Sequence, residues 1–310
     1  MKAGLFLMPS HPPERSTFDA HSLDLEMLTL ADELGYQEAW IGEHFTAPWE
    51  PIPSPDLMIA QALMRTQNIR LGAGAHLLPY HHPAELALRI AYLDHISQGR
   101  LNVAIGAGGL QTDAIMFNVD FDAGENREMT REALEIMIML WTGGDSPNKY
   151  KGKFWNVGIP DSKEWEWAKL KHFITPFQKP HPPIGIAAAS PNSETLKIAG
   201  QLGFIPMSLG LGPAYIASHW ESVLEGAVRG KRTPPPRSEW RLVRDVWIAE
   251  TDKEAITAAR EGMLFRTWSE YLFPLFNYGP YPLVAGMKHD ESVATEDIDL
   301  PPTPGLSQFL

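Results

Sequence analysis

The stretch Ile69 to Gly109, IRLGAGAHLLPYHHPAELALRIAYLDHISQGRLNVAIGAGG, decides the fold. Ile69 to Ala75 is apolar or small apart from Arg70, the composition of a short strand buried on both faces of a parallel sheet. The chain then runs out into His76 and Pro79, and His81-His82-Pro83 opens a helix with proline in its first turn. Leu86, Ile90, Leu93 and Ile96 recur at helical spacing, which predicts one face packed on the sheet. Gly99 ends that helix and Leu101 to Ile105 is the next strand. Both strands of this βαβ unit therefore finish in Gly/Ala-rich turns at one edge, the edge where α/β sheets and barrels hold their ligands.

The same alternation continues outward. Towards the N-terminus, Ala3 to Met8 reads as a strand, and a helix from about Ala20 to Leu34 turns Leu23, Met27, Leu28, Leu30 and Ala31 inward before Gly35. Gln37 to Ile41 is the second strand, followed at once by Gly42-Glu43-His44-Phe45 and a proline-broken loop with Trp49 and Glu50; a helix from Pro55 to Arg65 returns to Ile69. Towards the C-terminus come a short helix near Asp113 to Phe117 and a longer one from Asn126 to Trp141. Gly143 to Pro182 has no convincing period and carries Phe154, Trp155, Trp165 and Trp167. An irregular insertion of roughly forty residues is either functional or disordered, and the aromatics favour an ordered cover over a site. Strands at Pro183–Ala189, Phe204–Ser208 and Trp240–Glu250 alternate with helices at Glu194–Leu202, Pro213–Arg229 and Asp252 to about Tyr271.

Strand-then-helix repetition of this kind predicts an α/β fold, a (β/α)8 TIM barrel whose eighth unit is missing or irregular. Beyond Phe273, Gly279-Pro280-Tyr281-Pro282, the acidic run from Asp290 to Asp299 and Pro301-Pro302-Thr303-Pro304 read as irregular chain, and Leu283 to Met287 is too short to count as a strand. The expected organisation is a barrel domain over residues 1–275 with an insertion at 143–182, then a tail over 276–310.

Composition narrows the function. With 44% hydrophobic and 21% charged residues, the 310-residue chain can bury a full core. A net charge of -12, with 26 dispersed basic residues, argues against a nucleic-acid or anionic membrane surface. No segment approaches the roughly 18 apolar residues of a membrane span. The absence of cysteine excludes disulfides, thiolate nucleophiles and Cys-ligated metals, and fits a cytoplasmic protein.

Several residues are equipped for chemistry. His44 follows strand two at the ligand edge, and a histidine titrates near neutrality, as a general acid or base must. His76, His81 and His82 suggest a metal, but adjacent side chains at a helix start diverge and no carboxylate in the loop completes a ligand set, so no metal is expected. Ser190-Pro191-Asn192-Ser193 ahead of a helix offers hydroxyls, an amide and free backbone N–H groups to a phosphate. The Gly106-Ala107-Gly108-Gly109 turn permits close approach of a flat ligand without being a dinucleotide fingerprint. No G-x-S-x-G elbow supports a serine hydrolase.

Glu38-Ala-Trp-Ile-Gly-Glu-His44, Ile69 to Pro83, Leu93-Asp-His-Ile-Ser-Gln-Gly-Arg100 and Lys179-Pro-His-Pro-Pro-Ile184 together resemble the bacterial-luciferase-like flavin monooxygenases, nearest the limonene and diketocamphane branch. The resemblance spans about residues 1–275. It implies a barrel that takes reduced FMN from a separate reductase, reacts it with O2 through a C4a-peroxyflavin and oxygenates a hydrophobic small molecule, a terpenoid or ketone. Transferred by position, it makes His44 the catalytic histidine beside the flavin. It makes Gly74-Ala75 a strand bulge with a cis peptide under the flavin, beside His76, and Gly106-Ala107 its floor, with alanine where luciferase itself has arginine. Ser190, Asn192 and Ser193 become the phosphate turn, and Arg127 a phosphate-side arginine. Relatives commonly form homodimers. Two other readings stay open: a deazaflavin-dependent oxidoreductase on the same barrel, and a truncated, non-catalytic flavin-binding homologue.

Overall fold

The chain begins β1 (Gly4–Leu7), α1 (Thr17–Glu33), β2 (Glu38–Ile41), α2 (Pro55–Leu63), β3 (Arg70–Leu77), α3 (Pro83–Ile96) and β4 (Leu101–Gly106). α4 (Gln111–Met116) and α5 (Glu125–Thr142) follow, then β5 (Lys149–Lys151), β6 (Asn156–Gly158), β7 (Ile184–Ala188), α6 (Glu194–Leu202), β8 (Ile205–Ser208), α7 (Pro213–Arg229), β9 (Arg241–Leu242), α8 (Asp252–Glu261) and α9 (Met263–Thr267). The computed structural model describes residues 2–142, 149–189, 191–209, 213–272 and 274–275, with the side chains of 213–215 left out. Seven strands form one sheet in the order β1-β2-β3-β4-β7-β8-β9. Every recorded pairing in that sheet, from β1–β2 to β4–β7 and again β8–β9, is parallel. Strand order equal to chain order, with helices between, is the α/β alternation expected from the sequence.

The chain divides into two compact units, Met1–Ala187 with Phe204–Pro206, and Ala188–Gly203 with Met207–Leu310. In the first, β3 and β4 are almost wholly buried, as their apolar composition requires. β3 runs on through His76 to Leu77, past a register shift between Ala73 and His76, and the Gly74–Ala75 peptide is cis. Only glycine fits at 74, because a Cβ there would stand 2.8 Å from the Cβ of Trp40. α3 buries Leu86, Ala87, Ile90, Ala91 and Leu93 but leaves Ile96 exposed. Each large aliphatic among these contributes about 1.5–3 kcal/mol by leaving water.

α1 corrects the predicted face. Its buried residues are Ala20, Asp24, Leu25, Leu28 and Ala31, while Leu23, Met27 and Leu30 are exposed. A hydrophobic count misses this because the inward stripe contains Asp24, whose Oδ2 accepts from His11 Nε2 at 3.0 Å; a buried carboxylate is tolerated only with such a partner.

The insertion is less irregular than its sequence. β5 and β6 form an antiparallel hairpin whose turn hangs on α5: Glu132 accepts backbone N–H bonds from Lys153 (2.9 Å), Phe154 (3.1 Å) and Trp155 (2.8 Å). Glu132→Ala removes the buried acceptor of three backbone N–H groups and is expected to cost about 2 kcal/mol. Urea unfolding checks this through a lower midpoint at unchanged slope. Trp165 and Trp167 do not form the expected cover: they are 40% and 81% exposed.

In the second unit, α6 and α7 bury Leu196, Ala199, Val223 and Ala227, and β8 pairs with β9. The strand predicted over Trp240–Glu250 shrinks to Arg241–Leu242; after Val243 N–H bonds Ser208 O at 2.9 Å the pairing stops, and Val246, Trp247 and Ile248 lie exposed. The predicted last helix breaks at Gly262 into α8, α9 and a π-turn over Trp268–Leu272. Among the described residues no eighth sheet strand follows β9. Leu283–Met287 and the remainder of the expected tail lie outside the described residues.

Candidate active site

At the C-terminal end of β2 the chain passes through Glu43, His44 and Phe45, and two distant segments close on them. His44 Nδ1 lies 3.2 Å from Asp113 Oδ2 on α4, and Nε2 lies 2.9 Å from Glu50 Oε2 in the proline-broken loop. Asp113 is fully satisfied, accepting at Oδ1 from the Phe45 N–H (3.2 Å) and the Thr46 hydroxyl (2.6 Å) besides the histidine. Burial by itself would raise its pKa, but the bonds from His44 and Thr46 outweigh that and hold it below the usual carboxylate range. Glu50 differs: its side chain is 1% exposed and neither oxygen has an aligned hydrogen-bond donor, so its contact with His44 is one of charge at close range. For His44, burial favours the neutral ring, but the two carboxylates prevail and lift its pKa from 6.5 to about 9.

Histidine–carboxylate pairing recurs throughout this unit, and exposure separates the pairs. His11 with Asp24, His76 with Asp56 and His81 with Glu43 have side chains 6%, 2% and 13% exposed, whereas His44 is 19% exposed and alone among them touches two carboxylates. His76 is buried, its Nε2 2.8 Å from Asp56 Oδ1, with Arg89 on the other Asp56 oxygen. Burial opposes charge on His76, yet Asp56 raises its pKa. His81 Nε2 sits 3.0 Å from both oxygens of Glu43, which also accepts the Leu77 N–H at 2.7 Å, so Glu43 and His81 fix the exit of β3. His82 is exposed at the start of α3.

The small residues meet where the sequence placed them. A Cβ built on Gly106 would lie 3.5 Å from the Cβ of Ala75 and 3.4 Å from Leu77 Cδ2, so the ends of β3 and β4 form one surface of small side chains. Ala107 and Gly108 follow, and their carbonyls accept from Asn126 Nδ2 at 3.0 and 3.4 Å. Gly108 has φ +80°, and a Cβ there would stand 2.6 Å from the Tyr80 hydroxyl. Tyr80 stacks on Phe117 with centroids 4.8 Å apart, and Phe45 meets both rings edge-on. Its buried hydroxyl has no hydrogen-bond partner, and burial, then the charge of Asp113, pushes its pKa up to about 12. Arg127 occupies an exposed position in the first turn of α5, its N–H bonded to Asn126 Oδ1.

In the second unit, Ser193 caps α6, its hydroxyl accepting the Leu196 N–H at 3.4 Å, and Asn192 is exposed at φ 50°, its N–H bonded to Ser218 Oγ. Ser190 lies outside the described residues. Sequence reading overlooked the two partners of His44. Asp113 is 69 positions away and looks like an ordinary first-turn carboxylate; Glu50 is close by, yet only its burial distinguishes it.

A parallel sheet in chain order, with a histidine held between two carboxylates and small-residue turns at its C-terminal strand ends, defines an α/β-barrel enzyme. The chain belongs to the luciferase-like monooxygenases, whose family model matches residues 1–296. It is 33% identical over 323 residues to 2,5-diketocamphane 1,2-monooxygenase 1 of Pseudomonas putida, covering 100% of this chain and 83% of that one. With limonene 1,2-monooxygenase of Rhodococcus erythropolis it shares 32% over 267 residues, 84% of this chain and 64% of the relative. Among solved structures it matches the oxygenating constituent of 3,6-diketocamphane monooxygenase from Pseudomonas putida, a type II Baeyer–Villiger monooxygenase in complex with FMN. The TM-score is 0.82 and the identity 35%, over 89% of this chain and 75% of that one. Among the described residues no helix is long and apolar enough to cross a membrane.

Proposed function

We propose that this protein is the oxygenase of a two-component, FMN-dependent monooxygenase, supplied with reduced FMN by a separate flavin reductase. Its substrate is a hydrophobic terpenoid or cyclic ketone, into which one atom of O2 is inserted while the other leaves as water. The observation that carries this reading is the coincidence of the His44 cluster with a likeness, over the whole of this chain and 83% of the relative, to a diketocamphane monooxygenase. The likeness to an oxygenating constituent supports the separate reductase.

The residues present fit a flavin. Ala75, Gly106 and Ala107 put no bulky side chain in the way of a flat ring, and the unbonded Tyr80 hydroxyl beside Gly108 is a donor without an acceptor. When bound, FMN supplies the two electrons that O2 chemistry requires. In the first unit Ala75 and Gly106 would carry the ring and Arg127 would offer a positive charge; in the second, the Asn192–Ser193 turn with the N-terminus of α6 has the chemistry of a phosphate turn. Phe45, Tyr80 and Phe117 form an aromatic cluster next in the chain to His44 and to α4, an apolar wall that a hydrophobic substrate could meet. Fluorescence titration tests the binding half: saturable quenching of FMN is expected, and no affinity for FMN would refute the proposal.

A further inference from the structure

The two carboxylates on His44 decide what that histidine can do. An Nδ1 without a proton would point its lone pair at Asp113 Oδ2, 3.2 Å away, and an Nε2 without one would set its negative partial charge 2.9 Å from Glu50 Oε2. With both partners as carboxylates, either neutral tautomer keeps one of these repulsions, and the doubly protonated ring has neither. Asp113 has other donors, whereas Glu50 is buried and His44 is the only cationic group at hydrogen-bonding distance from it among the described residues. A carboxylate side chain so deeply buried requires a positive charge beside it, and the ring is the group placed to provide it. We infer that Glu50 is a positioning residue which, opposite Asp113, fixes His44 as a doubly protonated cation, so that the ring serves as a fixed positive charge rather than as a base.

The other ionisable groups around the ring are consistent with this. The Tyr80 phenol stands beside Asp113 and is neutral, and the Glu43–His81 pair lies beyond Phe45, whose ring is 6.3 Å from that of His81. A permanent cation next to a bound, electron-rich ligand stabilises negative charge that develops there, without having to reorganise as the charge forms. Glu50 thereby acts on the chemistry through His44 and touches no ligand itself. This inference deepens the monooxygenase reading, but it concerns the free protein. Its test uses neither flavin nor substrate, so it can fail while the function stands, or the reverse.

The test is a pH titration of the intact protein with 15N-labelled histidine, following the His44 ring signals, which are assigned by their loss in His44→Gln. Two protonated ring nitrogens are expected at pH 7.5, with a midpoint above pH 8. Glu50→Gln is expected to lower that midpoint by more than one unit, because a neutral amide no longer favours the charged ring. Asp113→Asn should lower it as well. A neutral ring at pH 7.5 in the unmodified protein would overturn the inference; so would an unchanged midpoint in Glu50→Gln, which would leave Asp113 as sufficient. Should Glu50→Gln fail to fold, the Glu50 carboxyl 13C signal of the unmodified protein decides. A shift that tracks loss of the ring proton supports the pair, and a signal indifferent to it overturns it.

Discussion

His44→Ala is expected to lower kcat at least about 10²-fold, the usual cost of removing a preorganised charge from an active site. FMN affinity should stay within about 3-fold, a change of under about 1 kcal/mol. The split follows from the geometry: both ring nitrogens are engaged by Asp113 and Glu50, so the imidazole is not free to hold a flavin, while the small surface of Ala75 and Gly106 is untouched by the change. Steady-state oxygenation with an excess of reduced FMN, paired with a fluorescence titration, checks both halves. Unchanged turnover would remove His44 from the reaction; equal loss of binding and turnover would make it a flavin contact.

The second large effect is expected at the floor. At Gly106 a Cβ would make only ordinary contacts, at 3.4 and 3.5 Å, so Gly106→Ala should be accommodated. Gly106→Leu projects three further carbons over Ala75 and is expected to raise the Kd for FMN at least about 30-fold, about 2 kcal/mol. Because the extra atoms enter the proposed ligand site and not the core, Tm should change by less than about 2 °C, equivalent to about 1 kcal/mol for a domain of this size. A large drop in Tm would instead place that side chain in packed protein. Unchanged FMN affinity would move the flavin elsewhere.

The parts of the molecule that were legible in the sequence are those governed by local pattern. The β3–α3–β4 unit is written in short runs of one period each, closed by Gly99 and the Gly106–Gly109 turn, and its strands and helix lie within two residues of expectation. The position of His44 at the end of β2 was equally plain. The cis Gly74–Ala75 peptide came from resemblance, since nothing in composition marks it. What stayed hidden depends on distance along the chain or on solvent. The Asp113 partner of His44 lies 69 positions away, and the buried stripe of α1 includes an aspartate that only its His11 partner explains. The hairpin in the insertion is held by Glu132 from another element, so its own residues carry little signal. The predicted strand after Trp240 was long because its residues are apolar, but apolar character cannot supply a neighbouring strand, and pairing ends at Val243.

The most direct test of the proposed function follows oxygen. Purified protein is mixed anaerobically with photoreduced FMN and a panel of cyclic monoterpenes and bicyclic terpenoid ketones, then exposed to 18O2, and the organic products are analysed by mass spectrometry. An FMN-dependent product carrying one 18O atom is expected, without any reductase present. Oxidation of the flavin with hydrogen peroxide as the sole oxygen product across the whole panel would contradict the account.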